Sequence, residues 1–111
     1  MTVQHVVLFA FPAELGESEE RELFERVARW PEEIGAIDAI RLGRPIDSSR
    51  ARGFQYLLYM ELSDDEALAA YQRHPVHRAF SAWVLGKGCT VLAFDYLLDE
   101  VTVIHPAEGL G

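Results

Sequence analysis

Tyr71, His74 and His77 stand at three-residue intervals in the stretch YQRHPVHRAF, with Pro75 between the two histidines. An imidazole near neutral pH can take a proton from a substrate, and a tyrosine hydroxyl can donate a hydrogen bond to the oxyanion that such a step creates. Tyr71 and His74 share one side of a helix by their spacing. In an unbroken helix, residues 71 and 77 would lie roughly 240° apart at ~100° per residue. Pro75 disfavours helical geometry in His74 and suits the first turn of a new helix. The break predicts that Tyr71 and His77, on two helical segments, point at a common space.

Two further polar residues stand in apolar strands. His5 lies in VQHVVLFAF and alternates with Val3, Val7, Phe9 and Phe11. If that face meets the helices, its imidazole is in the core and needs a partner. Asp95 lies within VLAFDYLL, where a carboxylate is costly unless paired. A carboxylate that accepts an imidazole N–H fixes the tautomer and makes a better base. The expectation is a His77–Asp95 hydrogen bond in a pocket between helices and sheet, with Tyr71 at its wall and His5 near by. Each residue also has a plain structural role open to it. His74 can satisfy a helix end, Tyr71 and His5 can be core groups with satisfied polar atoms, and Asp95 can hold the helix junction. Trp30, Trp83 and Phe80 suit packing.

The elements that must position these groups follow from periodicity. Residues 3–11 form a first strand, ended by Pro12. Leu23, Val27, Trp30 and Ile34, with Phe24 alongside, mark a helix that Ser18 can cap and Pro31 ends or kinks. A weaker strand covers AIDAIRLG, and a polar loop, RPIDSSRARG, joins it to the strong strand FQYLLYMEL. Ser63 and Glu66 form a capping box that opens a helix carrying Leu68 and Tyr71. A second helical segment runs through VHRAFSAWVL to Gly86 and Gly88, and TVLAFDYLL is the fourth strand. The domain spans residues 1–98, and residues 99–111 form a tail with a short extra strand expected at Val101 to Ile104. The order β-α-β-β-α-β is the ferredoxin-like pattern, an α+β fold with helices on one face of a four-stranded antiparallel sheet. Both faces of the strands are apolar, with Phe54, Tyr56, Leu58 and Met60 on one side of the third and Leu57 and Tyr59 on the other. A second copy packed sheet to sheet would cover the face the helices leave, so a homodimer is expected.

At 111 residues the chain fits one domain, and its formal charge of −8 argues against binding a nucleic-acid backbone. The opening MTVQHVVLFAFP has no positive segment and too short an apolar run for a signal or membrane span. The single cysteine, Cys89, makes no internal disulfide, and a cytoplasmic protein without membrane contact is expected. The three histidines His5, His74 and His77 could in principle hold zinc, but the proline interrupts the H-x-x-H pair and no H-E-x-x-H motif occurs. No metal is expected. A single histidine also suits heme, but nothing selects for it.

QHVVLFAF near the start, YQRHPVHRAF and FDY on the last strand resemble the stress-responsive dimeric α/β-barrel (Dabb) domain family, over about Val3 to Tyr96. The resemblance implies a ferredoxin-like protomer and a homodimer. The family includes olivetolic acid cyclase, a plant polyketide cyclase that closes a poly-β-keto thioester by an aldol condensation without metal or organic cofactor. It implies a catalytic role for His77, with Tyr71 and His5 at cavity positions. Val27 stands where that enzyme has a pocket tyrosine, and Tyr56 where it has a histidine.

The expected function is therefore a cofactor-independent cyclase or lyase acting on a polyketide-like or other β-dicarbonyl molecule. His77 removes a carbon-bound proton, Asp95 orients it, and Tyr71 and His5 hydrogen-bond the enolate oxygen. Val7, Phe9, Phe24, Val27, Tyr56, His74 and Phe80 are expected to line the substrate space. Two alternatives stand beside it: a non-catalytic dimer that binds a small apolar molecule, and a cofactor-free monooxygenase.

Overall fold

The computed structural model describes residues 2–100, with Glu100 described by its backbone alone. The expected strand at Val101 to Ile104 lies outside the described residues. The elements are β1 (Val3–Ala10), α1 (Glu17–Ala28), the short α2 (Trp30–Glu33), β2 (Ile37–Gly43), β3 (Tyr56–Leu62), α3 (Asp65–Arg73), α4 (Pro75–Gly86) and β4 (Thr90–Leu97). They build the ferredoxin-like α+β fold, with one antiparallel sheet in the order β2-β3-β1-β4.

Alternation along β1 decides the two faces. Val3, His5, Val7 and Phe9 point under the helices and are buried, and Phe11 continues the row. Leu58, Met60 and Leu62 of β3 join them, and Leu23 and Val27 of α1, Trp30, Tyr71 of α3, and Phe80 and Val84 of α4 close the core from above. The 3.6-residue spacing of these positions carries each helix's apolar stripe onto the sheet. Leu68 packs against this core only half-buried.

Helix ends show local corrections. The α1 cap is Gly16 rather than Ser18, because the Glu19 carboxylate turns back to accept the Gly16 N–H at 3.1 Å and the helix begins at Glu17. Likewise Asp64, not Ser63, caps α3, its carboxylate accepting the Ala67 N–H at 2.8 Å. Pro31 marks the start of α2, separating it from α1 at Arg29. His74 adopts extended geometry (φ −62°, ψ 135°) between α3 and α4, as a residue before proline favours.

Among the described residues, no helix covers the other sheet face. Leu57, Leu92, Phe94 and Tyr96 are exposed there, Phe94 to 66%. No helix among the described residues is long and apolar enough to cross a membrane.

Because Leu23 is fully buried while Leu68 is not, Leu23→Ala should cost ~2–5 kcal/mol and Leu68→Ala clearly less. Urea melts of the two variants check the order.

Candidate active site

The β1–β4 register sets the first polar pair. His5 lies directly opposite Asp95, and alternation aims both at the helix side. The His5 ring Nδ1 and the Asp95 carboxylate are hydrogen-bonded to each other. This corrects the expected His77–Asp95 bond. Neighbouring strands bring side chains at paired positions within reach, so His5 takes the carboxylate. His77 finds a different partner because it stands in the first turn of α4, beside the end of α3. The last carbonyls of a helix lack intrahelical partners, and His77 Nδ1–H donates to the Gln72 carbonyl oxygen at 3.2 Å. A carbonyl only accepts, so in the neutral ring the proton sits on Nδ1 and Nε2 carries the free lone pair.

Tyr71 stands between the two imidazoles. Its ring centroid is 4.3 Å from that of His77 and 5.4 Å from that of His5. The Trp30 indole backs the group, 5.6 Å from Tyr71 and 6.2 Å from His77, centroid to centroid. Burial pushes the Tyr71 hydroxyl well above the usual phenol range, with the Asp95 charge adding to it, so it is a neutral donor at physiological pH. Burial also holds His77 below the ordinary imidazole range, outweighing its bond to Gln72, and the charge of His5 works in the same direction. His77 is therefore held in its neutral form, with the Nε2 lone pair free.

These groups border a cavity of about 220 Å³ between α3, α4 and the β1–β4 side of the sheet. His5, Tyr71, Gln72, His77 and Ser81 are its polar lining residues. Val7, Phe9 and Phe80 line it as well, together with Leu58, Val84, Leu85, Val91 and Ala93, which the sequence reading had not singled out. The signal for them was present: Ser81, Val84 and Leu85 follow His77 at four, seven and eight residues, one helix face. Val91 and Ala93 alternate with Asp95. Asp95 does not border the cavity itself and acts through His5.

Four expected lining residues lie elsewhere. His74 is the N-cap of α4, its Nδ1 accepting the Val76 N–H at 3.1 Å, so its ring is spent on the helix start. Val27 is core under α1. Phe24 and Tyr56 pack edge to face at the β2–β3 end, away from the histidines, and the Tyr56 hydroxyl donates to Glu20 at 2.7 Å. Those positions were assigned by resemblance to a tyrosine and a histidine that this chain lacks, and a valine and a Glu20-bound tyrosine do not turn toward the cavity. Among the described residues, no group of three His, Cys, Asp or Glu side chains gathers closely enough to hold a metal ion.

Residues 3–98 match the family profile described as the stress-responsive A/B barrel domain. Among solved structures, the chain is similar to an Arabidopsis thaliana protein at 26% identity, covering 91% of this chain and 99% of that one with a TM-score of 0.77. It is similar in fold to a dimeric ferredoxin-like protein of unknown function from Thermobifida fusca (20% identity, 88% and 92% covered, TM-score 0.75). It is also similar in fold to a hydroxynitrile lyase from Passiflora edulis (13% identity, 92% and 97% covered, TM-score 0.79). A search of functionally curated proteins finds no match.

The anchoring of the two rings has a direct NMR signature. His77 should show the Nδ1–H tautomer and titrate below 6.5. Asp95→Asn should move the ring nitrogen shifts of His5 and leave those of His77 nearly unchanged. A folded-state pKa depressed below the unfolded value means the unfolded chain binds the extra proton first. The His77 contribution to stability is thus fully present above 6.5 and lost as pH falls, and His77→Gln should flatten that acid loss in a pH series of urea melts.

Proposed function

The chain belongs to the stress-responsive A/B barrel domain family, and from that premise we propose that it is a cofactor-independent enzyme forming carbon–carbon bonds in a polyketide-like or other β-dicarbonyl substrate. One observation carries the proposal: two imidazoles, each anchored through Nδ1, flank a neutral tyrosine at the polar end of one otherwise apolar cavity.

The chemistry follows from the anchors. A proton on carbon between two carbonyls is acidic enough for a neutral imidazole to remove. His77 Nε2 takes it, and the electrons of the C–H bond pass into the enolate. Its oxygen meets the Tyr71 hydroxyl and the His5 ring, whose charge when protonated is balanced by Asp95. The enolate carbon attacks a distal ketone of the same molecule, forming the new bond. The resulting alkoxide recovers the proton from His77, so the ring closure is a net isomerisation. The apolar walls, Phe9, Phe80, Val84 and Val91 among them, hold the hydrocarbon part and exclude water. Asp95 is a positioning residue for His5 in this scheme, rather than for His77.

The proposed working form is a cytoplasmic homodimer. The exposed row of Leu57, Leu92, Phe94 and Tyr96 supports it, because soluble monomers rarely leave such a contiguous apolar face in water. The Thermobifida fusca protein of the same fold is dimeric, and Cys89 is a free, buried thiol.

Incubation with a linear 3,5,7-trioxo acyl thioester, followed by mass spectrometry and NMR of the products, tests the activity. Ring-closed product should form faster than in buffer. His77→Gln should lower kcat by ~10²–10⁴ and Tyr71→Phe by ~10²–10³, both with the fold retained. Asp95→Asn should lower kcat less than either. Equal rates with the wild type and His77→Gln would remove the proposal.

Sedimentation at micromolar concentration should give twice the chain mass of 12.5 kDa. Phe94→Asp should return it to the single-chain mass.

A further inference from the structure

The histidine cavity has a polar group beyond its imidazoles. α4 turns into β4 through Lys87–Cys89, so the two elements run back along each other with the cavity between them. Along β1 and β4 the lining passes from His5 to the paired Val7 and Ala93, and then to the paired Phe9 and Val91. Along α4 it passes from His77 to Ser81 and then to Leu85, in steps of four residues. Ser81 is therefore about 6 Å beyond His77 along the helix axis. Val91 and Ala93 alternate with Leu92 and Phe94, so this cavity is on the face opposite the one that a second copy would cover.

Ser81 is half-buried, and its hydroxyl has no hydrogen-bond partner among the described residues. A serine inside a helix can satisfy itself on the carbonyl four residues back, here that of His77. This one leaves that carbonyl alone and borders the cavity instead. The wall around it is apolar, made by Phe80, Val84, Leu85 and Ala93. A hydroxyl in such a wall gains its partner when a ligand oxygen reaches it. Gln72, another polar lining residue, is exposed at the His77 end, where its carbonyl already anchors that ring.

An aldol ring closure involves two oxygens. The enolate oxygen is on one neighbour of the attacking carbon, and the acceptor ketone oxygen is on its other neighbour once the bond has formed. Oxygens on alternate carbons of the closing ring diverge, and each needs its own donor. Given the cyclase activity proposed for this site, we infer that Ser81 is a further catalytic residue, whose hydroxyl donates to the acceptor ketone oxygen while Tyr71 and His5 hold the enolate oxygen. The bond polarises that carbonyl for attack and holds the alkoxide until the proton arrives from His77. It also selects the carbonyl that reacts, because a ketone one helix turn from the base meets a donor and its neighbours along the chain meet apolar wall. Leu85 and Val91 beyond Ser81 are 60% and 40% exposed, so the apolar remainder of the substrate leaves through that end.

Two ketones that mimic the closed ring test the contact. In 3-hydroxy-3-propylcyclohexanone the ketone and hydroxyl oxygens are on alternate ring carbons, and 3-propylcyclohexanone lacks the hydroxyl. Calorimetric titration should show the wild-type protein binding the hydroxy ketone at least about fivefold more tightly, as one net hydrogen bond supplies. Ser81→Ala should lose that preference, and Ser81→Thr, which keeps a hydroxyl, should retain it. Alanine is the better helix former, so the loss is not one of folding. With the trioxo thioester, Ser81→Ala should lower kcat by ~10–10² with KM nearly unchanged and spread the product over other ring closures. Ser81→Thr should recover most of the rate. An equal preference in the wild type and Ser81→Ala overturns the inference, as does an unchanged kcat and product pattern in Ser81→Ala. A preference that depends on Ser81, with no ring closure by the wild type, would support the contact and remove the cyclase activity instead.

Discussion

A buried imidazole in the middle of the central strand constrains the rest of this molecule. His5 is 4% exposed between the apolar Val3 and Val7 and under Tyr71. A polar ring so placed without a partner would cost about 1–3 kcal/mol. Its partner, Asp95, comes from the neighbouring strand through the β1–β4 register. A slip of one residue would turn Asp95 to the opposite face, leave His5 unsatisfied and expose the whole alternation of β4. The pair thus ties register to the chemistry of the site. Because β4 is the edge strand and α4 only partly covers it, that side also leaves space for a ligand.

Pro75 imposes the second condition. It divides what would be one helix into α3 and α4, so a free carbonyl at the end of the first meets an imidazole in the opening turn of the second. His5 and His77 therefore rest on different acceptors, a carboxylate and a peptide oxygen. That difference separates their roles. His77 is desolvated, faces the charge of His5 and stays neutral. Asp95 is bonded to His5, while among the described residues no carboxylate is paired with His77. Tyr71, raised by burial, stays neutral between them and supplies a hydrogen bond without giving up its proton.

The sheet separates two environments as well. Its helix-covered face holds the core and the histidine cavity, whereas its open face carries Leu57, Leu92 and Phe94. At the β2–β3 end Glu20, Tyr56 and Arg44 form a hydrogen-bonded network. Tyr56 serves that network, with its hydroxyl on Glu20, and this accounts for its absence from the histidine cavity.

Much of this was legible in the residues themselves. Alternation in β1, β3 and β4 and the 3.6-residue spacing of Leu23, Val27 and Trp30 specify the elements and their order, because each element must bury one face. Pro75 specifies the helix break through the geometry that it denies His74. The types and spacing of Tyr71 and His77, with the break between them, specify that an imidazole and a phenol face one space. Pairing was another matter. Asp95 lies ninety residues from His5 and eighteen from His77 in the chain, and nothing in the residue types distinguishes the two imidazoles as its partner. Only the strand register decides that, since side chains at paired positions on adjacent strands share one face and lie within reach. The same holds for Gln72, whose carbonyl became an anchor by its place at a helix end, and for Phe24, Val27 and Tyr56, which tertiary packing turned away from the cavity. Local sequence determines which way a side chain points along its own element; which groups then meet is decided by contacts between elements distant in the chain.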